Sequence, residues 1–304
     1  MLRSICLFLS KNKMLTKFAQ AYGLRFGAGR FVAGETLREA VKTVKRLNQN
    51  GLSASIDYLG EYAGSRKDAK RTAEECKKAI RAMAENQLDC ELSLKLTLTS
   101  IGLDISENLA EQHIRDILTE AKEHRVPVTI DMEDYSRCAR TLDLYKRCKP
   151  DFPMLGTVIQ AYLYRAAEDI SSLMPYKPRL RLVKGAYKES ASVAFPDKKG
   201  TDLHFQQLIK LQLLSGHETA VATHDDDMIS YTKTLISEHQ IPREQFEFQM
   251  LYGIRTERQK KLAEEGYRMR VYVPYGTDWY GYLMRRIAER PANAAFVLKG
   301  IFKK

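Results

Sequence analysis

From Leu52 onward the chain repeats one order of residues: a short apolar run, a polar break, then a stretch with apolar positions at helical spacing. The apolar runs predict strands at 53–58, 90–96, 126–132, 157–161, 180–184, 219–223, 246–251 and 269–273. The stretches between them predict helices over 68–85, 109–124, 137–149, 202–214, 227–239 and 256–265, and a further helix over 36–50 precedes the repeat. The runs read as rich in Val, Ile and Leu rather than cleanly alternating, as expected of parallel strands covered on both faces. Eight such units in about 250 residues predict an α/β fold of the (β/α)8 type. A doubly wound sheet is the competing architecture, but no G-x-G-x-x-G follows an early strand. Residues 1–50 are read as a basic arm and helix packed on a barrel formed by 51–304.

In such barrels the chemistry gathers at the carboxyl ends of the strands, so polar groups there are the candidates. The second strand ends on Lys95, the third on Asp131 with Met132 and Glu133, and the fourth on Gln160. The fifth carries Arg181 and Lys184 and runs into Gly185-Ala-Tyr187; the sixth leads to Thr223-His224. The seventh offers Gln249 and Leu251-Tyr-Gly253, and the eighth Tyr272. Each of these has a bland reading as a helix cap or a satisfied rim group. For Asp225-Asp-Asp227 that reading wins, because acids ahead of a helix cap its N-terminus. His224 beside those acids has no partners at metal-ligand spacing, so no metal is expected.

The segment Tyr282-Leu-Met-Arg285-Arg286-Ile-Ala-Glu289 follows the last strand, and positions 282, 285, 286 and 289 share one helix face. Paired guanidiniums at a barrel mouth suit one small carboxylate, held by charge-assisted, bidentate hydrogen bonds. On this segment alone, a solvated helix of Arg–Glu pairs is an equal alternative. With Lys95, Arg181, Lys184, Arg285 and Arg286 converging, the mouth is expected to be cationic. Its ligands are then anionic: a phosphate-bearing cofactor, a carboxylate substrate, or both.

Composition narrows the class further. At 304 residues and 44% hydrophobic content the chain can bury a large core. No apolar run reaches the length of a membrane-spanning helix, and Ser4–Leu9 is too short for a signal core. Five cysteines without CxxC spacing fit free thiols in a reducing cytosol. The formal charge is +11, with six Lys/Arg and no acid before Glu35, which favours contact with a polyanion, either an anionic membrane surface or nucleic acid, against the plainer reading of a soluble basic protein with a sticky arm. No zinc-finger, RNP-type or helix-turn-helix pattern accompanies the charge, so nucleic acid is not an expected partner.

Seven ordered strings give a resemblance. They are Leu94-Lys-Leu, Ile130-Asp-Met-Glu133, Val158-Ile-Gln-Ala-Tyr162, Arg181-Leu-Val-Lys-Gly-Ala-Tyr187, Ala222-Thr-His224, Phe246-Glu-Phe-Gln249 and Tyr282-Leu-Met-Arg-Arg-Ile-Ala-Glu289. From Phe31-Val-Ala-Gly-Glu35 to the last helix the chain resembles FAD-dependent proline dehydrogenase in its short, monofunctional bacterial form. The resemblance implies a distorted barrel holding FAD at the strand ends. It also implies oxidation of L-proline to Δ1-pyrroline-5-carboxylate by hydride transfer from the ring Cδ to flavin N5, with electrons passed to a quinone-type acceptor. By motif, Lys95, Arg285 and Arg286 clamp the proline carboxylate, while Tyr272 and Tyr282 wall its ring. Asp131 is the active-site carboxylate that orients the groups around it, and Arg181 sits near flavin N5. Met132, Gln160, Lys184, Gly185, Ala186, Thr223 and His224 fall at FAD-contacting positions, and Leu251 packs against flavin or substrate.

Three further residues are read less specifically. Glu289 steadies the arginines or meets the substrate amine. Glu61 either pairs with Arg285 as a gate or is a surface acid. Tyr252 stands where longer, bifunctional relatives carry histidine. The chain has no room for the aldehyde dehydrogenase domain of those relatives, so a separate pyrroline-5-carboxylate dehydrogenase is expected downstream. Other readings remain open from the residues alone. One is a Schiff-base aldolase using Lys184 or Lys95 as the amine. The other is a non-catalytic barrel that binds polyanions through its arm. The expected location is the cytoplasm, with peripheral contact at the inner face of the cell membrane.

Overall fold

The computed structural model describes residues 28–59, 64–95 and 98–289, excluding the side chains of Ala28, Lys95, Leu98, Thr99 and 285–289. Eight parallel strands close into a barrel in chain order, with the first pairing the last through Ser53↔Arg270 to Tyr58↔Tyr275. They are β1 (Ser53–Tyr58), β2 (Cys90–Lys95), β3 (Val128–Asp131), β4 (Leu155–Gln160), β5 (Arg179–Val183), β6 (Thr219–Ala222), β7 (Phe246–Leu251) and β8 (Met269–Tyr275). The helices are α1 (Leu37–Gln49), α2 (Arg66–Glu85), α3 (Leu98–Ile101), α4 (Glu107–Glu123), α5 (Tyr135–Cys148) and α6 (Ala166–Leu173). They continue with α7 (Lys198–Leu214), α8 (Asp226–Glu238), α9 (Thr256–Glu264) and α10 (Trp279–Glu289). The predicted α/β barrel is the observed fold.

Local chemistry sets the helices. Thr36 closes a capping box with Glu39 at the start of α1, and Ser65, Ser106 and Asp197 each accept a backbone N–H at the start of α2, α4 and α7. The inner stripe of α2 is Ala69, Thr72, Ala73, Cys76, Ala79, Ile80 and Met83, all buried at helical spacing against the sheet. Each large aliphatic side chain buried in this way stabilises the fold by about 1.5–3 kcal/mol.

The core lies between strands and helices, on the outside of the barrel. Ile56, Leu92, Leu94, Ile130, Leu180, Leu182, Val221, Phe248, Val271 and Val273 belong to it and are almost fully buried. The alternating positions point into the lumen and are polar: Ser55, Glu91, Ser93, Thr129, Arg179, Arg181, Glu247, Gln249, Arg270 and Tyr272. The expectation of strands that do not cleanly alternate is thereby corrected. β2 and β8 alternate throughout, and β5 and β7 alternate up to their last residue, because their inner faces build a charged lumen instead of the branched aliphatic layers usual in this fold.

Two features shape the rim at the strand ends. α1 packs against β1 and β8, the place that the helix after β8 fills in a regular barrel. α10 instead forms its own apolar cluster of Trp279, Tyr282 and Leu283 with Phe31, Val32 and Leu59. Among the described residues no helix is long and apolar enough to cross a membrane.

Candidate active site

Asp131 closes β3, Arg181 lies on β5 and Tyr272 on β8, yet the closed sheet brings the three together. Tyr272 donates its hydroxyl to Asp131 Oδ2 at 2.8 Å. Arg181 donates from Nη1 to Asp131 Oδ1 (2.5 Å) and Ser93 Oγ (2.9 Å), and from Nη2 to Glu91 Oε1 (2.7 Å). Its guanidinium carbon lies 5.5 Å from the centre of the Tyr272 ring, within cation–π range. Burial alone would lower the Arg181 pKa, but the Asp131 and Glu91 carboxylates outweigh it and raise it. Burial is also the main cause that lifts the Tyr272 phenol well above its ordinary range, with the Asp131 charge adding to it. Tyr272 is therefore a neutral donor at physiological pH. Arg181 Nε is buried and makes no hydrogen bond among the described residues. A buried donor in that condition is satisfied by an ordered water or by an acceptor from a bound molecule.

Beneath this layer lies a second one that the sequence reading missed. Glu91 is fully buried and also pairs with Arg179, while Arg270 donates from Nε and Nη2 to Glu247 at 2.7 and 3.0 Å. Burial by itself raises the Glu91 carboxyl, but the charges of Arg179, Arg270 and Arg181 hold it well below the usual carboxylate range. Three guanidiniums (Arg179, Arg181, Arg270) thus meet three carboxylates (Glu91, Asp131, Glu247) along the lumen. A cavity of about 10 Å³ beside Arg179, Arg181, Glu247 and Gln249 leaves space for a single water. The signal that could have found these residues is the alternation of charged and aliphatic positions in Arg179-Leu-Arg181-Leu and Phe246-Glu-Phe-Gln249.

The other candidates line the rim. Gln160 is buried and donates to the Glu133 carbonyl at 2.6 Å, and Met132 is buried beside it in sequence. Thr223 accepts the Asp225 N–H, and His224 Nε2 accepts the Leu251 N–H at 3.0 Å, which places the ring proton on Nδ1. Leu251 is half-buried at the end of β7. Lys184 is clasped by Asp202 and by Asp225 (2.7 Å). Of the five cations expected at the mouth, Arg181 and Lys184 are each paired with two carboxylates. Asp225 caps α8 as predicted and has this second task as well. Tyr282 is buried in the α10 cluster. The side chains of Lys95, Arg285, Arg286 and Glu289, and all of Glu61, lie outside the described residues.

Gly185 has φ +111°, and Ala186 follows it, half-buried. A Cβ on Gly185 would stand 2.1 Å from the Tyr162 ring, so the backbone lies flush on that ring. Gly185→Ala is expected to cost about 2–4 kcal/mol in urea unfolding, from a left-handed φ and a clash together. Asp225 supplies a pH test. Burial alone raises its carboxyl, but the Lys184 hydrogen bond and charge bring it down to about 2. An unfolded Asp titrates near ~4, so the stabilisation is complete above that pH and is lost as pH falls toward 2. Asp225→Asn should cost about 1 kcal/mol at neutral pH after solvent screening, with the gap to the parent closing below about pH 3.

Among the described residues no group of three or more His, Cys, Asp or Glu is arranged to hold a metal ion. A family model described as proline dehydrogenase matches residues 40–299. The chain belongs to the proline dehydrogenase family. It is an enzyme of proline oxidation, the first step of proline catabolism. The chain is 73% identical over 304 residues to "Proline dehydrogenase 1" of Bacillus subtilis subsp. natto, covering 100% of both sequences. It is 43% identical over 279 residues to the proline dehydrogenase of Deinococcus radiodurans, covering 91% of this chain and 90% of that one. It also resembles the crystal structure of proline utilization A (PutA) from Bdellovibrio bacteriovorus inactivated by N-propargylglycine. There the TM-score is 0.85 at 26% identity, over 99% of this chain and 37% of that one. The chain therefore spans little more than a third of that PutA. Membership of this family sets aside the aldolase and non-catalytic readings, and Lys184, held in two ion pairs, is not available as a free amine nucleophile.

Proposed function

We propose that this proline dehydrogenase binds FAD at the carboxyl ends of its strands and converts L-proline to Δ1-pyrroline-5-carboxylate. The observation that carries the reading is the buried constellation of Tyr272, Asp131 and Arg181, with one guanidinium N–H that has no acceptor among the described residues. FAD, when bound, would supply a two-electron acceptor for the proline Cδ hydride at its N5, with a quinone-type acceptor as the onward sink. The residues present fit such a group. Arg181 offers a buried donor, Gly185 removes a side chain from the rim, and Met132, Gln160, Lys184, Ala186, Thr223 and His224 would complete its surround. Gln160, Lys184 and His224 already hold protein partners, so each would meet the cofactor through its remaining valences.

The chain's own residues do the positioning. Lys95, Arg285 and Arg286 are assigned to the substrate carboxylate, with Glu289 steadying the arginines and Leu251 bounding the pocket. Tyr272, fixed by Asp131, sets one wall of the ring, and Tyr282 the other. The substrate nitrogen loses its proton to solvent before binding, since no histidine of the matched strings stands as a base. Residues 1–50 serve as an arm and helix on the 51–304 barrel, a division supported by the packing of α1 on β1 and β8. The six Lys/Arg before Glu35 suit peripheral contact with the inner face of the cell membrane, where a quinone resides. The product passes to a separate pyrroline-5-carboxylate dehydrogenase.

The deciding experiment is an absorption spectrum taken before and after anaerobic addition of L-proline. Flavin bands that bleach support cofactor, substrate and direction of electron flow together. Bands that persist remove proline as donor, and a colourless protein after incubation with FAD removes the cofactor. Arg286→Met is expected to raise KM for proline about 10- to 100-fold, the scale of one lost charge-assisted hydrogen bond, with FAD still bound. Unchanged proline kinetics would take Arg286 out of the clamp.

A further inference from the structure

Among the described residues, the helix that carries the arginine pair packs on a small apolar cluster separate from the main core. Its buried residues Trp279, Tyr282 and Leu283 are covered by Phe31 and Val32 and by Leu59 at the end of β1. The segment 31–35 is itself laced to the same rim. Ala33 N donates to Pro274 O at 2.9 Å, and Gly276 N donates to Gly34 O at 3.0 Å. At the end of this strap the capping box divides two carboxylates between two tasks. Glu39 accepts from the backbone N–H groups of Glu35 and Thr36 and from the Thr36 hydroxyl. The Glu35 carboxylate turns away from its own helix and accepts the Trp279 indole N–H at 3.0 Å. Trp279 is 1% exposed and is the first residue of α10. Arg286 lies seven residues further along, about 10 Å up the helix axis.

We propose that Glu35 and Trp279 are positioning residues that hold α10 in the register at which Arg285 and Arg286 receive the substrate carboxylate. The inference rests on the proline-oxidising role assigned above. A helix seated on a small cluster of its own exchanges between a docked and a lifted position, and only the docked one presents the arginine pair. The docked fraction then enters KM directly, while the reaction of bound substrate is untouched. Glutamine at position 35 retains an acceptor oxygen for the indole, whereas alanine does not.

The test is steady-state proline oxidation by the holoenzyme and four variants: Glu35→Ala, Glu35→Gln, Trp279→Phe and Glu35→Ala with Trp279→Phe. Glu35→Ala and Trp279→Phe are each expected to raise KM about three- to tenfold, with kcat within about twofold of the parent. Glu35→Gln should stay close to the parent, and the double variant should be no worse than either single one. Trp279 is the only tryptophan of the chain, so its emission should shift to the red in Glu35→Ala without any turnover. An unmoved KM, an unmoved emission, a Gln variant as impaired as Ala, or additive losses would each overturn the tether. A parent protein that does not oxidise proline would instead sink the functional reading on which the tether rests.

Discussion

Glu91→Gln is expected to lower the unfolding free energy by about 3–5 kcal/mol, the scale of breaking a buried ion pair by removing one partner. Glu91 accepts from Arg181 Nη2 on Oε1 at 2.7 Å, and on Oε2 it accepts from Thr129 Oγ1 at 3.2 Å and pairs with Arg179. Glutamine fits the space but carries one acceptor oxygen, and its amide N–H group must face a guanidinium donor. Two buried arginines then keep their charge with one carboxylate fewer between them. For a chain of this length the loss corresponds to about 5–8 °C in Tm. The double change Glu91→Gln with Arg179→Met restores the balance of charge and should recover part of the loss. The coupling between the two positions is then favourable, and urea unfolding of all four proteins measures it. Additive losses would show that the lumen tolerates an unmatched charge, and the ladder of ion pairs would then not hold the barrel.

The same lumen explains what the sequence displayed and what it hid. β1 and β7 were predicted at their observed bounds, because each is framed by turn residues and has a bulky outer face. β3 begins two residues later than predicted. The Val126 N–H closes the end of α4 on the Ala121 carbonyl, so that residue belongs to the helix terminus although its side chain suits a strand. β4 begins two residues earlier, at Leu155, because Gly156 breaks the apolar run yet fits where Arg179 and Thr129 crowd the lumen. α3 and α6 were not predicted: four and eight residues are too short for periodicity to declare itself. Strand-end residues were legible because a polar group after an aliphatic run stands out locally. Glu91, Arg179, Glu247 and Arg270 were not, since a charge in mid-strand acquires meaning only when the sheet closes and sets arginines on β5 and β8 against carboxylates on β2 and β7. Trp279 and Glu35, 244 positions apart, meet for the same reason.

Arg181→Met is expected to lower kcat for proline by roughly 10²- to 10³-fold, the usual effect of deleting one preorganised donor at a reacting centre. KM should move by about threefold or less, since the residue is assigned to the cofactor and not to the substrate carboxylate. Three observations point to an effect on the chemistry itself. Arg181 is 5% exposed, so its charge acts in a medium that screens it poorly. It is held by Asp131, Glu91 and Ser93, so it arrives oriented. Its Nε has no acceptor among the described residues. On the proposed placement beside the flavin, this cation would favour the reduced, negatively charged ring, and its removal should make the flavin's reduction potential more negative. Methionine also leaves Asp131 with Tyr272 and Ser93 but no cation, so some loss of stability will accompany the kinetic effect. The potential separates the two causes, because a merely loosened fold has no reason to shift it in that direction. Arg181→Lys, which keeps the charge and loses the fork, should fall between parent and methionine variant in both kcat and potential. An unaltered potential in the methionine variant, whatever its activity, would remove Arg181 from the flavin's side of the site.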